Sequence, residues 1–151
     1  PMDKALAARG LDGFAPYLMN RIMRRYNQTL LARMGDYDLS VPKMRALATL
    51  AVQDGLTVNE LAVYSMAEQP TMSRTLDQLE RDGLITRSVS SSDHRVRHCL
   101  LTAAGRQMYE RIWPEMAEAE RAMFDEISAE DEAALLTTLK RMLDNIKVHD
   151  F

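Results

Sequence analysis

The chain has 151 residues with a net charge of −3, and 46% of them are apolar and 27% charged, an ordinary profile for one globular domain. Its single cysteine excludes an internal disulfide framework and fits a reducing compartment. The apolar runs are too short to cross a bilayer, and no cationic leader precedes an apolar core. We therefore expect a cytoplasmic protein without a membrane partner.

The negative charge is unevenly distributed. Residues 1–69 hold 8 Lys and Arg against 7 Asp and Glu, residues 70–105 hold 5 against 4, and residues 106–151 hold 6 against 11. The excess acid therefore lies in the C-terminal third, and the net charge of the whole chain is a weak argument against a nucleic-acid partner.

A long amphipathic helix is predicted near the start of the chain. Residues 3–10 are expected to be irregular, with Gly10 and Gly13 as breaks, and the helix should run from Leu11 to Met34. Its apolar residues recur every four positions: Phe14, Leu18, Ile22, Tyr26 and Leu30. So much apolar surface on one long helix requires a packing partner.

The next two helices have clear start signals. Ser40 is a good cap for a helix with Pro42 in its first turn, and Gly55 should end that helix. Thr57 and Glu60 form a T-x-x-E capping box for a short helix that follows directly.

Another helix is predicted to begin at Gln69–Pro70 and to end before Gly83, a suitable left-handed C′ residue. Its buried stripe should comprise Met72, Thr75, Leu76 and Leu79. Off that stripe lie Gln69, Thr71, Ser73, Arg74, Asp77 and Gln78. Arg pairs with guanine, Gln with adenine, and Ser or Thr with bases or phosphates, so this face can read DNA. A solvated polar face is the alternative.

A β-hairpin is predicted after Gly83. Its strands should be Leu84–Val89 and Arg95–Leu101, joined by a polar turn over residues 90–94. His94 and Arg95 at the tip suit a narrow minor groove, whose negative potential attracts cations. Asp93 is expected to pin the tip through an Asx-turn or an ion pair. A surface hairpin with incidental charges is the alternative.

Two further amphipathic helices are predicted at the C-terminal end, capped by Thr102 and by Ser128. The first carries Met108, Ile112, Met116, Ala119, Met123 and Ile127, and the second carries Leu135, Leu139, Met142, Leu143 and Ile146. Together with the long first helix they offer more apolar surface than one small core needs. They most simply pair with their copies in a twofold dimer, although closure on their own chain is the alternative.

Three sequence blocks resemble the multiple antibiotic resistance regulator (MarR) family of bacterial transcription factors: QPTMSRTLDQLERDGLITR (Gln69–Arg87), D-x-R (Asp93–Arg95) and LTAAGR (Leu101–Arg106). The resemblance extends over nearly the whole chain. It implies a mainly α fold with a small β-hairpin wing, in which a winged helix-turn-helix over about 36–101 is flanked by dimerisation helices over about 11–35 and 102–148. It also implies an obligate homodimer. One departure is Glu68, which stands where the family often has a capping Ser or Asp.

The predicted function is a ligand-responsive transcriptional regulator, more specifically a repressor, that binds a pseudo-palindromic operator of double-stranded DNA. The resemblance places Pro70, Thr71, Ser73 and Arg74 on the recognition helix and Arg95 in the minor groove. The full set of candidate DNA-contacting residues is Gln69, Pro70, Thr71, Ser73, Arg74, Gln78, Arg87, Asp93, His94, Arg95 and Arg97. The alternative is a small-molecule sensor or protein-interaction module that kept the winged fold without specific DNA binding.

A small-molecule site is also expected. The resemblance implies that a small aromatic or anionic effector binds between the first helix and the DNA-binding part, for which Tyr17, Arg21 and Met44 are the candidates. The residues His94, His98 and Cys99 have unsuitable spacing for a metal site on a hairpin. No nucleotide-binding, hydrolase or metalloprotease motif is present, so no cofactor and no catalytic activity are expected.

Overall fold

The computed structural model describes the backbone of residues 2–151 and the side chains of residues 5–151. The helices in this range are α1 (Met2–Arg9), α2 (Ala15–Met34), α3 (Val41–Val52), α4 (Val58–Tyr64), α5 (Gln69–Arg81), α6 (Ala103–Met123) and α7 (Ala129–Ile146). The strands are β1 (Leu56–Thr57), β2 (Ile85–Val89) and β3 (Arg97–Leu101). The predicted fold class, mainly α with a small β wing, is confirmed. Within the described residues, no helix combines the length and apolar character required to span a membrane.

The N-terminal segment differs from the prediction. Residues 2–9 form α1 instead of an irregular segment, and Gly10 ends it with a φ of 78°. Leu11–Gly13 then form a single 3-10 turn, so α2 begins at Ala15 rather than Leu11. A left-handed glycine and a proline at the start of α2 explain the break, because neither continues the preceding helix.

The sheet has three antiparallel strands in the order β1–β3–β2. Leu56 of β1 lies opposite Cys99 of β3, and Val89 of β2 lies opposite Arg97 of β3. The pattern did not predict β1, because two residues cannot show alternation. The strand predicted from Arg95 begins at Arg97 instead, because the Val96 N–H donates to the Asp93 carbonyl within the turn at 3.0 Å.

One continuous core joins the helices to the sheet. Its fully buried side chains include Leu30 and Met34 of α2, Met44, Leu47 and Leu50 of α3, Leu61 of α4, Met72, Leu76 and Leu79 of α5, Ile85 of β2, Cys99 of β3 and Ile112 of α6. The stripe predicted for α5 is confirmed, since Thr75 is also buried. This core fixes the face of α5 that points away from it.

The predicted helix caps are confirmed by hydrogen bonds to side-chain oxygens. Ser40 accepts from the Lys43 N–H at 3.3 Å, Thr57 from the Glu60 N–H at 3.2 Å, and Ser128 from the Asp131 N–H at 3.1 Å. The Glu60 carboxylate accepts from the Thr57 hydroxyl at 3.1 Å, rather than from a backbone N–H as in a full capping box.

The first turn of α6 is attached directly to the start of the wing. Thr102 caps α6 by accepting from the Gly105 N–H at 3.0 Å, while its hydroxyl donates to the Gly83 carbonyl at 2.6 Å. The Thr102 N–H donates to the Leu84 carbonyl at 3.1 Å. A Cβ at Gly105 would lie 2.0 Å from that carbonyl oxygen, so only glycine fits this contact.

Apolar faces at both ends of the chain are uncovered. Phe14, Leu18, Ile22 and Met23 of the α2 segment are exposed, as are Leu135, Leu136, Leu139, Leu143 and Ile146 of α7. Helix α7 contains no buried residue, although its apolar residues follow a helical stripe. An apolar stripe of this length on a helix is normally covered by another surface.

We predict that Gly105→Ala destabilises the protein by at least about 3 kcal/mol, because the Leu84 backbone cannot move away without disturbing the wing and α6 together. Urea unfolding followed by circular dichroism measures this effect. Helix propensity alone would make Gly105→Ala stabilising. A loss of stability would therefore identify the clash with the Leu84 carbonyl.

Gly35→Ala is the matched control for this prediction. Gly35 has helical angles, φ −57° and ψ −33°, and no neighbouring atom lies within 4 Å of a Cβ built on it. The free energy of unfolding of this variant should exceed that of the wild type by no more than about 1 kcal/mol. Equal stability of the two variants would show that the α6 attachment tolerates a side chain.

Candidate nucleic-acid interface

Helices α4 and α5 form a helix-turn-helix, joined by residues 65–68. The turn is tight: the Ala67 N–H donates to the Ala62 carbonyl at 3.0 Å, and Met66 takes a left-handed conformation with a φ of 54°. Glu68 occupies the N-cap position of α5 and makes no side-chain cap hydrogen bond, as its residue type suggested. The first amide groups of α5 therefore remain available to an outside acceptor.

The end of α5 leads directly into the wing through a Schellman motif. The Gly83 N–H donates to the Glu80 carbonyl at 3.0 Å, and the Leu84 N–H donates to the Leu79 carbonyl at 2.9 Å. Gly83 has the expected positive φ of 74°. This turn fixes the direction in which β2 leaves the helix.

The outward face of α5 carries most of the candidate residues. Gln69, Pro70, Arg74 and Gln78 are exposed, and Thr71 and Ser73 are half-buried. Arg74 Nη2 lies 3.5 Å from the Thr71 hydroxyl, which orients the guanidinium along the helix. Within the described part of the chain, Arg74 makes no ion pair, so its charge is available to a ligand.

The wing tip is held by Asp93. Its Oδ1 accepts from the Arg95 backbone N–H at 3.0 Å and faces Arg95 Nε at 3.4 Å, which is the predicted Asx-turn with an ion pair. The Arg95 side chain is nevertheless 93% exposed. His94 is exposed beside it. Asp93 thus shapes the tip, while Arg95 projects from it.

A concave surface, here called the reading cleft, lies between the helix-turn-helix and the wing. It has a volume of about 600 Å³ and is lined by Thr57, Val58, Asn59, Gln69, Pro70, Ser73, Arg87, Arg95, Val96 and Arg97. Asn59 was not among the sequence candidates. Its position two residues after the cap of α4 is the signal that could have identified it, because that end of a first helix faces the phosphate backbone.

Arg87 lines the reading cleft and is paired with two carboxylates of α5. Its Nη2 donates to Asp77 Oδ1 at 2.6 Å and to Glu80 Oε1 at 3.0 Å, and its side chain is only 11% exposed. The hydrogen bond from Arg87 lowers the pKa of Glu80 below its ordinary value, and the bond to Glu80 raises the pKa of Arg87. Both carboxylates accept hydrogen bonds from Nη2, so Arg87 connects β2 to α5, and its role as a direct DNA contact stays a prediction.

The candidate effector residues are not assembled into one site in the described chain. Arg21 Nη1 donates to the Tyr17 hydroxyl at 3.2 Å, and its guanidinium lies 5.9 Å from the centre of the Tyr17 ring. Met44, in contrast, is 1% exposed within the core. Burial leaves Met44 almost no exposed surface in this structure, and its role as a ligand contact stays a prediction.

Cys99 is completely buried in β3. Burial raises the pKa of its thiol to about 11, so almost none of it is thiolate at neutral pH. A buried protonated thiol reacts slowly with oxidants and binds metals poorly. Cys99 therefore acts as a small core residue.

A helix-turn-helix whose second helix presents polar and cationic side chains, followed by a hairpin with an arginine at its tip, defines a winged-helix protein of the DNA-binding class. Residues 39–96 match the sequence profile of the MarR family. The chain is also 47% identical to a MarR family transcriptional regulator from Silicibacter pomeroyi. The crystal structure of that regulator superposes with a TM-score of 0.91, over 97% of this chain and 99% of the other. The chain belongs to the MarR family of transcriptional regulators.

Two further relatives give the comparison functional content. The HTH-type transcriptional repressor IacR from Pseudomonas putida is 28% identical over 133 residues, which cover 88% of this chain and 77% of that protein. MepR from S. aureus, in its crystal structure with DNA, is 28% identical with a TM-score of 0.74, over 87% of this chain and 97% of the other. One of these relatives is named a transcriptional repressor, and the other is seen bound to DNA.

We predict that Arg87→Ala destabilises the protein by about 1 kcal/mol at neutral pH, since two charged hydrogen bonds are lost and both carboxylates are partly exposed. The pKa of Glu80 is depressed in the folded state, so its contribution is complete above its ordinary pKa of 4.5 and is lost as the pH falls below it. Urea unfolding of both proteins at several pH values measures the difference.

Arg106→Ala is the control, because Arg106 is exposed in the first turn of α6. The difference in free energy of unfolding between the wild type and Arg87→Ala should decrease as the pH is lowered. The same difference for Arg106→Ala should stay small at every pH. A gap for Arg87→Ala that does not change with pH would contradict the ion pair with Glu80.

Proposed function

We propose that the protein is a repressor that binds a pseudo-palindromic DNA operator as a homodimer. One observation carries this proposal: the first half of α5 and the wing tip present Gln69, Ser73 and Arg95 around one concave surface, and Arg74 is exposed on the same helix. The relative IacR is named a repressor, which supports repression over activation. A repressor of transcription acts on the chromosome, so we propose a cytoplasmic location.

The α5 helix is proposed to enter the major groove by its N-terminal half. Arg74 can donate two hydrogen bonds to guanine, and Gln69 can pair with adenine. Thr71 and Ser73 have short hydroxyl side chains suited to bases or phosphates, and Pro70 packs at the first turn without an N–H to satisfy. Gln78, one turn further along, is positioned to contact the edge of the site.

The wing is proposed to bind the adjacent minor groove. Arg95 extends from the tip into that groove, where a narrow width increases the negative potential. His94 and Arg97 lie beside it and, with Asn59 on the opposite wall of the reading cleft, are suited to phosphate oxygens. The same duplex can therefore be contacted from both walls of the cleft.

The acidic residues of α5 are arranged so that they do not oppose this binding. Asp77 and Glu80 lie in the second half of the helix, where the single charge of Arg87 offsets half of theirs. The acid excess of residues 106–151 lies outside the cleft. The cations at the cleft thus act on the duplex with little local opposition, apart from Glu68 at the start of α5.

The dimer is proposed to form through residues 11–35 and 102–148, with residues 36–101 as the DNA-binding part. The exposed apolar faces of α2 and α7 supply the surface. In a twofold dimer the two α5 helices would enter successive major grooves roughly 34 Å apart, which requires a palindromic target.

Regulation by a small aromatic or anionic effector is part of the proposal. Tyr17 and Arg21 offer an aromatic face and a cation on α2, close to the proposed dimer contacts. An effector that prefers a dimer with different α5 spacing would weaken DNA binding by the size of that preference alone.

A second candidate function is a sensor or interaction module that has lost specific DNA binding. The exposed Glu68 favours it. Its carboxylate makes no cap hydrogen bond at the start of α5 and would repel DNA phosphates there. A gel shift with the DNA upstream of the gene, at two salt concentrations, separates the two functions. Specific binding that weakens steeply with salt supports the repressor, and its absence supports the module.

We predict that Arg74→Ala reduces operator affinity by about 1–3 kcal/mol and relaxes sequence preference at one position, because a base contact is lost. Arg95→Ala should also weaken binding, with little change in preference within the major groove. Fluorescence anisotropy against the operator and its single-position variants measures both effects.

Arg81→Ala is the matched control for these variants, since Arg81 is exposed on the last turn of the same helix. It should bind the operator nearly as the wild type does. If Arg74→Ala lost equal affinity for operator and random duplex, Arg74 would contact only phosphate. An unaltered isotherm for Arg95→Ala would contradict the wing assignment.

We predict that Leu139→Glu converts the dimer to a monomer that remains folded, because it places a charge in the apolar face of α7 without touching the core. Analytical ultracentrifugation and circular dichroism measure mass and helix content. Val52→Glu is the control, since Val52 is 85% exposed at the end of α3. A dimeric Leu139→Glu protein would show that α7 does not form the interface.

A further inference from the structure

The chain after α7 returns to the helix-turn-helix. Residues 147–151, here called the tail, follow the end of α7 at Ile146. The Phe151 ring lies 5.3 Å from the Tyr64 ring, centre to centre, with the planes inclined by 51°. The His149 ring lies 5.3 Å from the Phe151 ring, centre to centre, with the planes inclined by 31°. Tilted rings at this separation are a favourable aromatic arrangement.

Tyr64 lies next to the turn that joins the two helices of the helix-turn-helix. It is the last residue of α4, immediately before the turn that leads into α5. The turn depends on the Ser65 N–H, which donates to the Leu61 carbonyl at 2.9 Å, and on the left-handed Met66. A side chain that restrains Tyr64 therefore restrains the direction in which α5 begins.

The tail adds a contact between the C-terminal end of the chain and the helix-turn-helix to the links made by the continuous core and the α6 attachment. Helix α7 has no buried residue, and its apolar face is the one assigned to the partner subunit. Phe151 is 41% exposed and Tyr64 is 37% exposed, so their contact is local and adds little to the core. It links the proposed dimerisation part, residues 11–35 and 102–148 and here called the dimer arm, to the helix-turn-helix at a further point.

We propose that the tail is a brace, in which Phe151 packs on Tyr64 to fix the orientation of α5 relative to the dimer arms. This inference rests on the proposed function, because it assigns the two aromatic residues to the spacing between the two α5 helices. Phe151 and Tyr64 are positioning residues that make no contact with DNA. The brace narrows the range of half-site separations that the dimer accepts.

The first test measures spacing selectivity. The wild-type protein first selects its operator from random duplexes. Spacing selectivity is then the ratio of its affinity for that operator to its affinity for the same operator with one extra central base pair. Phe151→Ala should reduce this ratio by about two- to tenfold, the range expected for one aromatic contact. Val148→Ala is the control, because Val148 lies in the tail but is 90% exposed. A purely stabilising role would lower both affinities equally and leave the ratio unchanged.

Tyr64→Ala and the double variant complete a cycle. If the two residues act through their mutual contact, the double variant should have the same ratio as either single variant. Additive effects, or an unchanged ratio in Phe151→Ala, would overturn the brace. All four proteins should keep the wild-type helix content, since neither side chain belongs to the core.

Hydrogen exchange provides a readout that requires no DNA. The amides of residues 65–67 should exchange faster in Phe151→Ala than in the wild type and in Val148→Ala, because the turn opens more often. Unchanged exchange would overturn the brace even if the operator is bound. If the wild type selects no duplex, the proposed function fails, and this measurement still decides whether the tail holds the turn.

Discussion

The close approach between the first turn of α6 and the Leu84 carbonyl is the constraint on which the rest of the structure depends. Gly105 is the residue that allows it, and Thr102 completes it by bonding to both the end of α5 and the start of the wing. Because α6 continues into the dimer arm, this attachment transmits the position of that arm to the reading cleft. A flexible connection here would leave the two α5 helices of a dimer without a defined separation.

Charge is arranged around that rigid attachment. The protein is acidic as a whole, yet Asp77 and Glu80 are paired with a largely buried arginine, while Arg74 is exposed and Arg95, paired with Asp93, still projects from the wing tip. Arg87 therefore has two effects at once: it connects β2 to α5, and it removes negative potential from the helix that approaches DNA. The position of each charge explains how an acidic protein can bind a polyanion, which its net charge does not.

The uncovered apolar faces and the tail both offer contact surfaces at the ends of the chain. Helices α2 and α7 expose apolar stripes that a single chain does not cover, and the tail beyond α7 reaches the turn of the helix-turn-helix through Phe151. A rearrangement of the proposed dimer arms would therefore reach α5 through the shared core, the α6 attachment and the tail. The proposed effector would act through such a route by preferring one arrangement of the arms over another.

Local sequence signals were sufficient for many elements. The buried stripe of α5, the caps at Ser40, Thr57, Thr102 and Ser128, and the left-handed Gly83 were predicted because each depends on residues within one turn of helix. The predicted start of the long helix at Leu11 and the predicted irregular segment over residues 3–10 were wrong, because one turn of chain around Gly10 and Gly13 supports several conformations. The family blocks identified the fold class, since their order along the chain is itself a long-range signal.

The sequence by itself thus determined the winged fold, the face of α5 that points outward, and the arginine at the wing tip. Only the tertiary structure decided that Arg87 pairs with Asp77 and Glu80, that Asn59 joins the reading cleft, and that Phe151 meets Tyr64. The physical reason is the range of the interactions. Periodicity and capping act over three or four residues, whereas these contacts join residues whose proximity depends on how the helices and strands pack.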